Sequence, residues 1–278
     1  MKTKKNIGIF TLNGYENYGN RLQNYALQET IKNLGFEVET ILVHRKSGDN
    51  ITNKIKKSLS SGEVFGKVIR RINRQFNKRY LKIRKEEFLA FTEKYIKEVD
   101  YSLSINNTPN DLNEKYDYFI TGSDQVWNPN NLHGTSFFFL TFAQKEKRIA
   151  YAPSFGVSEI DDIFISDYKK WLSGMHKLSV REDDGAKIIR MLTGKDVPVH
   201  IDPTLLLNKE EWLEISKQAK NKPIRNYLVT YFLGGMPKEH KKNIYKIAKM
   251  KGLDIINLGV LDEKDTYVAG PSEFIDYI

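Results

Sequence analysis

The sequence predicts an α/β protein built on a Rossmann-like parallel sheet, and three observations lead there. Residues 6–43 read strand, loop, helix, strand, which is a βαβ unit and implies parallel pairing. Short apolar runs alternate with amphipathic runs again from Tyr116 to Ala219. After a polar break at Lys220–Asn226, "KNKPIRN", the alternation starts once more.

The elements follow in order. "NIGIFTL" is a short apolar run with β-branched members, so a strand. In "NRLQNYALQETIKNLG", Ala26, Leu27, Thr30, Ile31 and Leu34 share one helical face, and Gly35 suits the C-terminal cap. "FEVETILV" is the second strand. "GEVFGKVIRRINRQFNKRYLKIRKEEFLAFTEKYI" reads as largely helical, with Phe76, Tyr80, Ile83, Phe88 and Phe91 available to pack inward. Strands are then expected at "YDYFIT", "KRIAYAPSFG", "HKLSV" and "VPVHID", with helices at "DIFISDYKKWLSGM" and "REDDGAKIIRMLTG" between them. "NKEEWLEISKQA" opens with Asn208 as N-cap and Glu211 three residues on, a capping-box variant. Beyond the break come strand "YLVTYFL", helix "KEHKKNIYKIAKM" and strand "LDIINLG". The expected organisation is a first domain over 1–220, with a basic helical insertion at about 50–97, and the start of a second Rossmann-like domain over 221–278 that the chain leaves incomplete.

Composition bounds the function. The 278 residues are 40% hydrophobic and 28% charged, as in an ordinary globular chain. No apolar run approaches the ~18 residues of a transmembrane helix. Ile7–Leu12 is too short for a signal-peptide core. The absence of Cys excludes disulfides, thiolate catalysis and Cys-ligated zinc. A cytoplasmic location is the expectation. The net charge of +9 is uneven: Arg45–Lys97 holds sixteen Lys/Arg against five Asp/Glu. Such a segment is either a solvated helical face or a contact for phosphate, an acidic glycan or the inner face of an anionic membrane. Nucleic acid is not an expected partner.

In open parallel sheets, ligands sit beyond the carboxyl ends of the strands, so the residues there are the candidates. After the first strand come Asn17, Tyr18, Gly19 and Asn20, entering a helix whose N–H groups could face an anion; the alternative is a long turn with Asn20 as N-cap. There is no GxGxxG and no GxxxxGK[ST], so neither a dinucleotide cofactor nor P-loop chemistry is indicated. After "YDYFIT" comes "GSDQVWNP", with Ser123, Asp124, Gln125, Trp127 and Asn128. Either Asp124 and Gln125 face the cleft beside Trp127 as a platform for a sugar ring, or Ser123 and Asp124 cap a turn and Trp127 is core. Arg181 and Asp202 follow two further strands. His176 and His200 are read as packed or surface residues. No His, Asp or Glu spacing suggests a metal site.

Together "GIFTLNGYENYGNRLQNYALQ", "YFITGSDQVWNP", "RIAYAPSFG", "LSVRE" and "DPTLLLNKEEW" resemble the polysaccharide pyruvyl transferase family, in the family's order, with "GSDQVWNP" the most specific. The resemblance implies two Rossmann-like domains facing a cleft, as in the glycosyltransferase-B architecture. It implies ketal formation on a sugar of a cell-surface polysaccharide, with phosphoenolpyruvate as donor substrate, no cofactor, and a glycan or lipid-linked saccharide as acceptor. That chemistry needs an acid, a base and anion-binding groups, for which Asp124 is the acid/base candidate and Arg181 the anion clamp. It also implies a Ser-Phe-His-Gly-like segment in the second domain. The 278 residues hold no match to it, and "GPSEFIDYI" resembles the stretch just upstream, so this chain by itself is expected to be inactive. A nucleotide-sugar glycosyltransferase of the same fold and a non-catalytic glycan-binding protein are the alternatives.

Overall fold

The structure is a computed structural model and describes residues 4–43, 77–103, 108–109, 111–130, 135–233, 235–261 and 263–278. Residues 50–76 of the basic insertion, with Arg70, Arg71, Arg74 and Phe76, lie outside the described residues. The chain divides into two compact units, Met1–Leu59 with Thr92–Leu207 and Ser60–Phe91 with Asn208–Ile278. The boundary expected at 220/221 therefore falls inside the second unit. The reason is local pairing: Lys217 N–H donates to the Ser272 carbonyl and Ala219 N–H to the Asp276 carboxylate, so residues 208–220 are tied to the C-terminal helix.

In the first unit the elements run β1 (Asn6–Phe10), α1 (Tyr18–Asn33), β2 (Glu37–Val43), the helix α2 (Lys78–Tyr95), β3 (Glu98–Leu103), α3 (Leu112–Lys115), β4 (Tyr118–Gly122), β5 (Arg148–Tyr151), α4 (Asp162–Ser173) and α5 (Asp183–Thr193). α2 supplies residues to both units. The five strands are all parallel, in the order β3-β2-β1-β4-β5. Ile9 is the central rung, paired with Thr40 on one side and Ile120 on the other.

Both faces of the sheet are covered, as a parallel sheet requires. On one face Ile7, Ile9, Val38 and Ile120 pack against Leu27 and Ile31 of α1. On the other, Phe10, Ile41 and Phe119 join Tyr168, Leu172, Ile188 and Ile189 of α4 and α5. A side chain at Gly122 would collide with Leu27, so glycine there lets α1 lie close against the end of β4.

Two expectations change. β3, "EVDYSL", was not anticipated: it follows α2 after only two residues and alternates polar and apolar side chains, the pattern of a half-covered edge strand. Conversely "HKLSV" and "VPVHID" form only the isolated parallel bridges Ile149↔Lys177 and Val180↔Val199. Ser179 fills part of the missing ladder with its side chain, accepting from Ala152 N–H and donating to the Ala150 carbonyl, while Pro198 has no N–H to give.

The second unit has a two-stranded parallel sheet of β6 (Tyr227–Tyr231) and β7 (Asp254–Leu258), in register from Tyr227↔Asp254 to Tyr231↔Leu258. Around it lie α6 (Lys209–Ile215), α7 (Lys238–Lys251), α8 (Lys264–Tyr267) and α9 (Pro271–Tyr277). The capping box forms as expected: the Asn208 side chain accepts from Glu211 N–H, and Glu211 accepts from Asn208 N–H. In this unit Phe88 of α2 is buried beneath the Arg84 guanidinium, which donates to the carbonyl of Tyr267.

Candidate functional site

The strand order places a topological switch between β1 and β4. The chain moves outward from β1 through β2 and β3, then returns to the other side of β1 for β4 and β5. The connections leaving β1 and β4 diverge, and a crevice opens between them. These are the two polar loops the sequence singled out.

The β1 loop ends in the N-cap of α1. Asn17 is that cap, its side chain accepting from Asn20 N–H at 3.3 Å, so the alternative with Asn20 as cap is replaced. Asn20 sits in the first turn, and its amide is free to reach across the crevice, where Nδ2 donates to Oδ2 of Asp124. Asp124 adopts φ 75°, a left-handed conformation that Asp tolerates better than most residues. Its Oδ1 accepts from Gln125 N–H at 2.8 Å, and its carbonyl accepts from Val126 N–H and Ser154 N–H. No helical turn follows Asp124; the loop holds its shape through these bonds.

Next to it lies a second group. Ser123, fully buried, donates from Oγ to Oδ2 of Asp202 at 2.5 Å. Arg181 Nη1 donates to the same oxygen at 2.9 Å and reaches Ser123 Oγ at 3.5 Å. The other oxygen, Oδ1, takes the N–H and hydroxyl of Thr204, so Asp202 caps the short turn Pro203–Leu205. Burial by itself would raise the pKa of Asp202. The hydrogen bonds from Ser123, Thr204 and Arg181 outweigh it and hold the carboxyl below its ordinary value. Asp202 is therefore a fixed anion, and it orients a guanidinium whose other nitrogens keep donors to spare. Burial raises the pKa of the nearby Tyr151, and the negative charge of Asp202 adds to it.

The structure thus brings together Asn17, Asn20, Ser123, Asp124, Arg181 and Asp202. Gln125 and Asn128 belong to the same loop but bond to each other, Nδ2 to Oε1 at 2.9 Å. Tyr18 is buried and Gly19 exposed. Trp127 is a correction: it is no open platform for a sugar. It is fully buried, one face stacked on Phe139 at 4.7 Å and 4°, and its Nε1 donates to the Phe138 carbonyl. An indole covered on its face by a phenyl ring has no surface to offer a sugar. His176 and His200 are exposed, and His200 stacks on Tyr151 at 5.8 Å. Among the described residues no His, Asp and Glu grouping could hold a metal ion.

Sequence reasoning missed the residues beneath the crevice. Gln23 Nε2 donates to Thr11 Oγ1 at 2.8 Å and to the Asn20 carbonyl at 3.2 Å, and Thr11 Oγ1 donates to the Ser123 carbonyl at 3.2 Å. One buried amide therefore braces both walls. Arg21 is fully buried, paired with Glu98 at 2.6 Å and lying over the ring of Tyr15, whose hydroxyl donates to the same carboxylate at 2.6 Å. The signal available was the density of polar residues in "NRLQN", which is also what a solvent-facing first turn shows.

The family model described as Polysaccharide pyruvyl transferase matches residues 17–278, which takes in the whole loop after β4 and, of the loop after β1, its last residue, the N-cap Asn17. No curated protein and no solved structure matches the chain.

Proposed function

The chain belongs to the polysaccharide pyruvyl transferase family, and from that premise we propose that it contributes the first-domain half of a site transferring a pyruvyl group from phosphoenolpyruvate to two hydroxyls of a cell-surface glycan. The observation that supports the reading best is the family match over residues 17–278, which spans both walls of the switch-point crevice.

The balance of the reaction assigns work to the residues. Two sugar C–O bonds form to C2 of the enolpyruvyl group, and the C2–O bond to phosphate breaks. One hydroxyl proton ends on C3, making it a methyl, and the other leaves with phosphate. Asp124 keeps a lone pair on each oxygen beyond the bonds to Asn20 and Gln125, so it can accept a hydroxyl proton. Arg181, held by Asp202, has donors left for a carboxylate or phosphate. Asn17, Tyr18, Gly19, Gln125 and Asn128 line or support the loops around them. The acceptor is a glycan or lipid-linked saccharide, met in the cytoplasm, with the basic insertion touching the anionic inner membrane face. Among the described residues no helix is long and apolar enough to cross a membrane.

The test is phosphate release from phosphoenolpyruvate in the presence of candidate acceptor glycans, together with the appearance of the ketal methyl signal by NMR. Phosphate release without a ketal methyl, or neither, across an acceptor panel would overturn the reading.

A further inference from the structure

We propose that the solvent face of α7 in the second unit is a docking surface for an anionic lipid bilayer. α7 is a different segment of the chain from the basic insertion, and the proposal does not depend on the pyruvyl transfer reading.

α7 carries Lys238, Lys241, Lys242, Lys246, Lys249 and Lys251 against a single acid, Glu239. Of its fourteen residues only Ala248 is buried. Lys238, Lys242, Lys246 and Lys249 recur every three or four residues, which sets them along one exposed line of the helix. None of the six lysines forms an ion pair among the described residues, although thirteen ion pairs form elsewhere among them. Uncompensated positive charge along a line is complementary to a surface of negative headgroups.

The same helix also leaves large apolar side chains in water. Met250 is 73% exposed, Tyr245 51% and Ile247 49%. Ile247 and Met250 are three residues apart and so neighbours on one flank, beside the lysine line. Leu233, just after β6, is 73% exposed as well. A soluble polyanion would satisfy the lysines and leave these groups wet. A bilayer takes both, with the apolar side chains at the acyl boundary and the ammonium groups among the headgroups. Charge and apolar exposure on one helix together select the bilayer over a soluble glycan chain.

The experiment uses the full chain and large unilamellar vesicles, either of phosphatidylcholine alone or of phosphatidylcholine with phosphatidylglycerol. Co-sedimentation is expected with the anionic vesicles only, and it should be lost at about 1 M salt, where the Debye length is about 3 Å. The variant Lys242→Glu/Lys246→Glu/Lys249→Glu should bind at least tenfold more weakly with an unchanged thermal melt. Ile247→Ser/Met250→Ser should bind at least threefold more weakly. Parent-like binding by the lysine variant overturns the proposal. So does parent-like binding by Ile247→Ser/Met250→Ser, because the surface would then be a site for soluble polyanions.

Discussion

Nδ2 of Asn20, in the first turn of α1, donates a hydrogen bond to Oδ2 of Asp124, on the loop after β4. Two residues 104 positions apart in the chain thereby join the two walls of the switch-point crevice. The carboxylate also accepts Gln125 N–H on its other oxygen. This changes what the substitution Asp124→Asn does. An amide has one acceptor oxygen, so it can satisfy Asn20 or the Gln125 N–H, not both. Asp124→Asn should therefore cost about 1 kcal/mol of stability even if it plays no chemical part. If Asp124 is the acid/base, the rate should also fall by about 10²–10⁴. A thermal melt alongside phosphate release separates the two: a small stability loss with an unchanged rate would remove Asp124 from the chemistry.

Arg21 and Glu98 form an ion pair with Arg21 fully buried. Breaking a buried pair from one side leaves an uncompensated charge, at a cost of about 3–5 kcal/mol. Arg21→Met should show that loss in urea denaturation. Arg21→Met/Glu98→Gln should lose less than the sum of the two single changes, and a double-mutant cycle reads the difference. Additive losses would mean the pair contributes no coupling.

Trp127 belongs to the core. Trp127→Phe should leave the acceptor KM nearly unchanged, since the buried indole, stacked on Phe139, has no exposed face for a sugar to lose. Trp127→Ala should instead lower stability by about 3–5 kcal/mol by opening a cavity. A large rise in acceptor KM for Trp127→Phe with an unchanged melt would restore the platform role.

Asp202 supplies the pH dependence. Burial opposes its charge, but the bonds from Ser123, Thr204 and Arg181 hold its folded pKa below the ordinary value for Asp. A carboxylate with a depressed folded pKa stabilises the fold fully above its unfolded pKa, about 3.9, and loses that contribution as pH falls through the folded value. The parent should therefore lose stability more steeply than Asp202→Asn as pH falls below about 4, while at pH 7 Asp202→Asn is the less stable of the two. Circular dichroism melts across that range measure it. Parallel curves would show that the carboxylate gains nothing from its partners.

The local pattern of the chain determined the βαβ start, the second βαβ after the polar break, the capping box of Asn208 and Glu211, and the polar loops at the ends of β1 and β4. Each is a property of residues within a few positions of one another, where spacing and turn chemistry are legible. What those loops touch was decided by the tertiary structure. Ser123 finds Asp202 79 positions on, and Arg21 finds Glu98 77 positions on. In α1, Asn20, Arg21, Gln23, Asn24 and Gln28 look like a solvent face, yet all are buried. Gln28 is the clearest case: its amide pairs with the backbone of Lys97 at both ends, Nε2 to the carbonyl and Oε1 from the N–H. A polar side chain carries the same letter whether water or a distant backbone group satisfies it. Trp127 is the converse, an aromatic in a polar loop whose burial depends on Phe139 and Phe155 arriving from elsewhere in the chain. Periodicity reports which residues share a face of their own element, and only the packed structure determines what that face meets.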